Sequence, residues 1–212
     1  MKSDQIAGRK KSRYYHSLPG RVIVWCTKSY RRKEAFLSQC RRLMWGSVLM
    51  LFLASANATG LSIGDMAPGF DLTDQQGRQH TLPDYRGQWL VLYFYPKDDT
   101  PGCTKEACSL RDEFAAFRQL DVTVLGVSLD DTDSHAAFAK KYRLPFPLLS
   151  DTGGKVAKAY GSLGGFGPIR YAKRHTFIID PDGRIARVWR KVNPAVHSSE
   201  LLEAFNALRS VH

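Results

Sequence analysis

The stretch that decides the fold is YFYPKDDTPGCTKEACSL, residues 93–110. An apolar run over residues 90–95 ends at Pro96, and a polar turn over residues 97–102 leads to Cys103. Short apolar runs that end at a proline are typical of buried strands, and proline and glycine in the following turn favour a change of direction. The stretch therefore predicts a strand, a turn and a thiol at the start of a helix.

The residues after Cys103 predict a helix that runs to about Leu120. Apolar residues recur there at alternating spacings of four and three, which places them on one buried helical face. They are Ala107, Leu110, Phe114 and Phe117. The thiolate is the nucleophilic form of cysteine, and the positive end of a helix favours it over the thiol. Cys103 is therefore a candidate nucleophile.

A second cysteine, Cys108, lies five residues after Cys103. On a regular helix their alpha carbons would be roughly 8 to 9 Å apart, given a 1.5 Å rise and a 100° turn per residue. A disulfide tolerates at most about 7 Å between alpha carbons. A bond between these cysteines therefore requires the first helical turns to unwind, which favours a step in a catalytic cycle over a permanent cross-link.

The positive charge of the chain is concentrated at its amino-terminal end. The net charge is +11, and residues 1–58 carry 12 of the 31 lysines and arginines but only 2 of the 20 acidic residues. The remaining residues are close to neutral, so they offer no basic excess for binding phosphates. We predict no nucleic-acid partner for the folded part, and a nucleic-acid role for the basic leader would require that it stays attached.

The leader contains an apolar segment, Leu43–Ala56, of 14 residues (LMWGSVLMLFLASA), which follows Arg41 and Arg42. Small residues follow at alternating positions, and this arrangement is typical of a signal peptide. The segment is shorter than the roughly 20 residues that span a bilayer. We expect an exported, periplasmic protein with a cleaved leader, and the alternative is an uncleaved membrane anchor. A start at Leu37 would bring the leader to ordinary length.

The predicted organisation is a leader, residues 1–58, and a single domain, residues 59–212. Two of the four cysteines, Cys26 and Cys40, lie in the leader. Cleavage would leave only Cys103 and Cys108, and in an oxidising compartment this pair would stay oxidised without a reductant. The two cysteines that remain therefore imply a partner that supplies reducing equivalents.

The rest of the chain alternates between strand and helix patterns, which predicts an α/β sheet. A branched run over 122–128 predicts a buried parallel strand, and Phe138 and Tyr142 mark the inner face of a second helix. Further predicted elements are a hairpin over 70–82, a short helix over 155–160, a hairpin over 175–189 and an amphipathic helix over 198–208 burying Leu201, Leu202, Phe205 and Leu208. The glycine-rich segment Gly161–Pro168 lacks the features of a phosphate loop and is predicted to be a flexible surface loop.

Residues 96–103, PKDDTPGC, resemble the Pro-x-x-x-Thr/Ser-x-x-Cys signature of the peroxiredoxins. The run CTKEACSLRDEF is similar to the branch that contains bacterioferritin comigratory protein and PrxQ, whose second cysteine follows the first by five residues. The resemblance extends from about Ile63 to Leu208. It implies a thioredoxin-like fold, with a central mixed sheet flanked by helices.

The resemblance also implies a role for each site residue. Cys103 would be the peroxidatic nucleophile, and Cys108 would resolve its sulfenic acid to a disulfide. Thr100 would hydrogen-bond the thiolate and orient the peroxide, and Pro96 would shield the pocket. Arg174, within Arg-His-Thr-Phe, would stabilise the thiolate and the charge that develops on the leaving oxygen.

The activity implied by the resemblance is a thiol-dependent peroxidase for hydrogen peroxide or organic hydroperoxides, with no bound cofactor. A thioredoxin-like reductant would recycle it, and the mature protein would be a monomer. One alternative is an exported thiol-disulfide oxidoreductase, although that class relies on Cys-x-x-Cys. Another is a binding module that kept the fold without turnover. Close relatives often carry a charged, lysine-containing loop where residues 161–173 are rich in glycine, so substrate preference and partner contacts stay open.

Several residues also have purely structural interpretations. Cys108 could fill the inner face of its helix, and Arg174 could be an ordinary surface arginine. Glu106 and Asp112 are predicted to be solvated helix residues. His175, on a predicted strand, is interpreted as structural, and the six histidines of the chain show no spacing typical of a metal site.

Overall fold

The computed structural model describes residues 60–209, so the leader and its apolar segment lie outside the described residues. The strands are β1 (Asp71–Asp74), β2 (Gln79–Thr81), β3 (Trp89–Phe94), β4 (Val122–Ser128), β5 (Leu148–Ser150), β6 (Leu163–Phe166), β7 (Ile169–Ala172), β8 (His175–Ile179) and β9 (Ile185–Trp189). The helices are α1 (Pro101–Asp112), α2 (Phe114–Gln119), α3 (Thr132–Tyr142), α4 (Lys155–Ala159) and α5 (His197–Arg209), with a 3-10 turn over Leu82–Tyr85.

Seven of these strands form one mixed sheet in the order β2-β1-β5-β4-β3-β8-β9. The β3–β4 and β4–β5 pairs are parallel, and the pairs toward both edges are antiparallel. Parallel neighbours need a crossover, and here helices provide it. The predicted α/β class with a central mixed sheet flanked by helices is confirmed.

The central strand β3 is buried on both faces because its alternate side chains enter two separate hydrophobic cores. Leu90, Leu92 and Phe94 belong to one core, whereas Val91 and Tyr93 belong to the other. Successive side chains of a strand point to opposite faces, so a slip of one residue would exchange the two sets. Burial on both sides therefore fixes the register of β3 in the sheet.

The single helix predicted from Cys103 to Leu120 is in fact two helices, and this prediction is wrong in detail. Thr100 is the N-cap, and Pro101 occupies the first helical position, where its missing N–H has no partner to lose. Glu113, with φ −94° and ψ 6°, interrupts the helix between α1 and α2. The break leaves the apolar face intact, since Leu110 and Phe117 are both fully buried.

The glycine-rich segment is not a loop but part of the β6–β7 hairpin, a separate two-stranded sheet. Gly165 has φ +128°, and a Cβ there would collide with the backbone of Ile169 on the opposite strand. A Cβ at Gly164 would lie 2.9 Å from the Tyr171 ring. The glycines therefore permit close pairing, where the composition suggested flexibility.

The other predicted elements are present. The β1–β2 and β8–β9 hairpins pair antiparallel, and α5 buries Leu201 and Phe205 completely while Leu202 and Leu208 are half-buried. Within residues 60–209, no helix is both long enough and apolar enough to cross a membrane.

Candidate active site

Cys103 is the third residue of α1 and is 1% exposed. β3 ends at Phe94, and the turn that follows leads directly into this helix. The Thr104 N–H donates to the Thr100 carbonyl at 2.8 Å, so this hydrogen bond of the first helical turn spans Cys103. The predicted placement of a thiol at a helix N-terminus is therefore confirmed.

Arg174, the residue before β8, contacts Cys103 on α1. Its Nη2 donates to the Cys103 sulfur at 3.2 Å. Sheet register brings the two together: Phe94 pairs with His175, so Arg174 lies beside the end of β3 where the turn to α1 begins. The side chain of Arg174 is 19% exposed, which contradicts its interpretation as an ordinary surface arginine.

The second guanidinium nitrogen of Arg174, Nη1, forms an ion pair with Glu106 Oε2. The prediction that Glu106 is solvated is wrong, because Glu106 is completely buried, whereas the exposure predicted for Asp112 is confirmed. Glu106 lies three positions after Cys103, so both project from one face of α1. A carboxylate three residues after a candidate nucleophile was a signal that the sequence offered for this contact.

Burial dominates the electrostatics of Glu106. It raises the pKa of that carboxyl to about 7, although the charge of Arg174 and its hydrogen bond act in the opposite direction. Burial alone would lower the pKa of Arg174, but Glu106 and Cys103 hold it above its ordinary value. The guanidinium therefore stays charged. One of its terminal nitrogens donates to the Cys103 sulfur and the other to the Glu106 carboxylate.

Gly102 provides the space that Arg174 occupies. A Cβ at this position would lie 3.1 Å from Arg174 Nη2, closer than ordinary van der Waals contact. The backbone of the first helical turn can thus approach the guanidinium closely because no side chain intervenes. Nothing local to the sequence indicated this role, since Arg174 is distant along the chain.

Thr100 and Pro96 frame the turn before the thiol. The Thr100 hydroxyl donates to the Lys97 carbonyl at 3.0 Å, so in this structure it closes the turn. Its hydrogen bond to the thiolate stays a prediction. Pro96 lies two residues after the end of β3 and is half-buried, and its role as a shield for the pocket also stays a prediction.

Asp98 anchors this turn through a buried polar network. Its carboxylate accepts hydrogen bonds from Tyr95 and Ser134, both at 2.7 Å, and lies 2.8 Å from His135 Nδ1. The Asp98 N–H donates to Asp130 Oδ2 at 2.8 Å. These contacts connect the turn to the residue after β3, to α3 and to the segment after β4.

Asp99 forms a second connection from the turn to α3. Its carboxylate accepts from Lys141 at 2.6 and 2.9 Å and from the Tyr142 hydroxyl at 2.6 Å. Asp99 also has φ +54°, a left-handed conformation that aspartate tolerates better than most residues. The two aspartates together hold residues 96–100 against α3, a role that sequence analysis missed because every partner except Tyr95 is distant in sequence.

Cys108 is half-buried on α1, and both Cys103 and Cys108 are free thiols. Because α1 is regular from Pro101 to Asp112, the helical geometry keeps their alpha carbons roughly 8 to 9 Å apart. A disulfide between them would require the amino-terminal half of α1 to unwind. The structure therefore represents the reduced arrangement of this pair.

His175 lies on β8 and is buried, with Nδ1 3.0 Å from the Ser162 hydroxyl oxygen. Burial, together with the charges of Arg190 and Lys173, lowers its pKa to about 4, so the ring is neutral at pH 7. Among the described residues, no group of three or more His, Cys, Asp or Glu side chains could hold a metal ion.

A thioredoxin-type sheet carrying a buried thiol at a helix start, with an arginine on its sulfur, defines the class of thiol-dependent peroxidases. The chain belongs to the AhpC/TSA family, whose model matches residues 63–188. Within that family its relatives are peroxiredoxins of the Q or Bcp branch, as the sequence predicted. Peroxiredoxin Bcp of Bacillus subtilis is 43% identical over 147 residues, which are 68% of this chain and 94% of that protein.

Other relatives agree with this assignment. The chloroplastic peroxiredoxin Q of Sedum lineare is 43% identical over 148 residues, 69% of this chain and 78% of that protein. Among solved structures, a PrxQ mutant of Xylella fastidiosa has a TM-score of 0.67 at 36% identity and covers 72% of this chain and 99% of its own. Peroxidoxin BcpB of Mycobacterium tuberculosis has a TM-score of 0.67 at 36% identity and covers 70% and 99%.

Proposed function

We propose that the protein reduces hydrogen peroxide and organic hydroperoxides through a sulfenic acid at Cys103 and a Cys103–Cys108 disulfide. The observation that carries this proposal is the contact between the Arg174 guanidinium and the buried Cys103 sulfur at 3.2 Å. A cation and a helix N-terminus both favour the nucleophilic thiolate. The same guanidinium can also stabilise charge that develops on a departing oxygen.

In the first step, the Cys103 thiolate attacks one oxygen of the peroxide. An S–O bond forms, the O–O bond breaks, and the departing oxygen takes a proton and leaves as water or an alcohol. The sulfur is oxidised to a sulfenic acid while the peroxide is reduced. Thr100 orients the peroxide in this proposal, Pro96 shields the pocket from water, and Arg174 stabilises the negative charge on the leaving oxygen.

In the second step, the Cys108 thiol condenses with the sulfenic acid to give a disulfide and one molecule of water. The regular α1 helix must first unwind near its start to bring the two sulfurs together. Half-burial of Cys108 supports this step, because a thiol that is not locked in the core can move at lower cost. The turn at residues 96–100 is held separately by Asp98 and Asp99, so it need not move with the helix.

A dithiol protein of the thioredoxin type then reduces the disulfide by thiol-disulfide exchange, and no bound cofactor is needed. The two alternatives predict different outcomes. An oxidoreductase would exchange disulfides without consuming peroxide, and a binding module would leave both thiols free in its presence. The Cys-x-x-x-x-Cys spacing favours the peroxidase over the oxidoreductase.

The test uses residues 59–212, because relatives such as the Bacillus protein consist almost entirely of this domain. The reduced protein receives one equivalent of hydrogen peroxide, and its intact mass and thiol alkylation are measured before and after. We expect the loss of two hydrogens and a peptide that joins Cys103 to Cys108. Two free thiols beside unconsumed peroxide would overturn the proposal.

Single variants separate the two steps. Cys103→Ser should abolish peroxide consumption. Cys108→Ser should still form a sulfenic acid, detectable with a selective probe, but should not turn over with thioredoxin and its reductase. Normal turnover of Cys108→Ser with thioredoxin would remove the resolving role, while leaving the role of Cys103 intact.

We also propose that the basic leader directs export to the periplasm and is cleaved near residue 58. The apolar segment with arginines before it and small residues after it supports this. Amino-terminal sequencing of the mature protein tests the cleavage, and recovery of an intact leader would favour a membrane anchor. The monomeric state stays a prediction for sedimentation analysis.

A further inference from the structure

The β6–β7 hairpin presents an apolar outer face. Phe166 pairs with Ile169 and Gly164 pairs with Tyr171, and residues two apart on a strand share a face, so the three large side chains lie on one side. Phe166 is 93% exposed, Ile169 71% and Tyr171 43%. They make up half of the large hydrophobic residues that are exposed among residues 60–209.

The opposite face of the hairpin holds it against the domain. Ala172 is completely buried, and Leu163 packs on the core. Arg170 donates to the Gly153 carbonyl at 2.8 Å. The hairpin is therefore fixed through one face, and its exposed apolar face is a constant feature of the folded surface.

The surrounding sequence is basic. Residues 152–179 contain three lysines and two arginines but no aspartate or glutamate. Lys155, Lys158 and Lys173 are exposed, and Arg174 is already paired with Glu106. In a domain whose overall net charge is close to zero, this concentration favours a negatively charged partner surface.

The first described residue, Gly60, lies beside this hairpin. Gly60 lies against Gly161, where a Cβ would be 3.9 Å from the Gly60 alpha carbon, and Gly161 is two residues before β6. The apolar segment ends at Ala56, four residues before Gly60. Four extended residues span at most about 14 Å, and a four-residue strand rises about 13 Å. During the proposed export, before cleavage near residue 58, a tether of this length would keep the hairpin within reach of the bilayer that the apolar segment enters.

We propose that the outer face of the β6–β7 hairpin is a contact surface for anionic phospholipid bilayers. Phe166 and Ile169 enter the boundary between headgroups and acyl chains, and Lys173, which lies beside Tyr171 on the same face, contacts the headgroups. The exposed Lys155 and Lys158 add to the positive charge of this segment. An exposed apolar face with flanking cations is the combination that binds such interfaces. Because β7 leads through Lys173 to Arg174, this surface adjoins the thiol site. The proposal does not depend on the peroxidase function, since lipid binding requires no turnover.

The test measures co-sedimentation of residues 59–212 with vesicles of phosphatidylcholine alone and with vesicles that contain equal parts of phosphatidylglycerol. We expect binding to the anionic vesicles that weakens as salt is raised. Phe166→Ser and Ile169→Ser should each lower the partition coefficient about tenfold or more, the effect expected when one large apolar side chain no longer leaves water. Val196→Ser, at another exposed apolar position, should leave binding unchanged.

A fluorescent variant provides a direct reading of insertion. Phe166→Trp should show a blue-shifted emission with anionic vesicles, measured against the unsubstituted protein as background. Because Phe166 is almost fully exposed, these variants should keep the circular dichroism spectrum and the rate with hydrogen peroxide in solution. Absence of vesicle binding, or equal binding by the Phe166→Ser/Ile169→Ser double variant, would overturn the proposal. A double variant that lost only its affinity for thioredoxin would instead identify a protein-docking surface and overturn it as well.

Discussion

Arg174 Nη2 lies 3.2 Å from the sulfur of Cys103, although the two residues are 71 positions apart in the sequence. The pairing of Phe94 with His175 creates this contact, because it places the residue before β8 beside the turn after β3. The same guanidinium is held by the buried Glu106. The Arg174 side chain therefore connects the Cys103 thiol with the Glu106 carboxylate, and this carboxylate positions the guanidinium.

Arg174→Lys keeps the positive charge but removes the fork that donates to both groups. We expect the second-order rate constant with hydrogen peroxide to fall about a hundredfold, because a lysine cannot contact the sulfur and Glu106 at once. Stopped-flow measurement of the intrinsic fluorescence, or competition with a reference peroxidase, gives this constant. Arg187→Lys, on the exposed side of β9, is the matched control and should leave it unchanged. A rate within threefold of the parent protein for Arg174→Lys would contradict the role of the fork.

Glu106→Gln should change how stability depends on pH. Burial raises the pKa of Glu106 to about 7 in the folded state from an ordinary value of 4.5, so the folded protein holds this proton at pH values where the unfolded chain has released it. The contribution of this carboxyl to the free energy of unfolding therefore falls as pH rises from about 4.5 to about 7, by about 3 kcal/mol at most. Glutamine has no proton to release.

The measurement is the free energy of urea unfolding at several pH values for both proteins. Taking the difference between them is necessary because His175 contributes the opposite slope: its pKa is lowered to about 4, so its contribution is present above pH 6.5 and is lost as pH falls toward 4. Parallel curves for the two proteins would contradict the raised pKa of Glu106.

Gly102→Ala should impair the reaction while leaving the fold stable. The added Cβ would lie 3.1 Å from Arg174 Nη2 and would displace the guanidinium from the sulfur by a few tenths of an ångström. We expect the rate with peroxide to fall about threefold to thirtyfold, whereas the melting temperature should stay equal or rise, because alanine favours a helix. Gly69→Ala is the control, since a Cβ at Gly69 would meet no atom within 4 Å. An unchanged rate for Gly102→Ala would show that Arg174 tolerates the displacement.

Asp98→Asn should destabilise the protein through the turn that precedes the thiol. Its carboxylate accepts hydrogen bonds from two hydroxyls and faces His135, and an amide would direct a donor group toward at least one of these partners. We expect a loss of about 2 kcal/mol in the free energy of unfolding, the usual cost of a buried polar group without its partner. Asp112→Asn, at an exposed position, should change it by less than about 0.5 kcal/mol.

Local patterns predicted most of the elements. The strand that leads to Pro96, the helix that starts near Cys103 and the hairpin over 175–189 were all recognisable, because each depends on the spacing of apolar residues and on turn residues close in sequence. The break at Glu113 was missed because the apolar face continues across it. The β6–β7 hairpin was missed because glycine at a close strand contact and glycine in a flexible loop have the same composition.

The sequence by itself determined the chemistry that is available: a cysteine at a helix start, a second cysteine five residues later, and a motif that identifies the family. Only the tertiary structure decided which charged side chains act on that cysteine. Glu106 could be solvated or buried on the same helix, and packing against Arg174 buried it. The physical reason is that helical and strand periodicities act over a few residues, whereas the pairing of β3 with β8 decides which distant side chains share a low-dielectric environment.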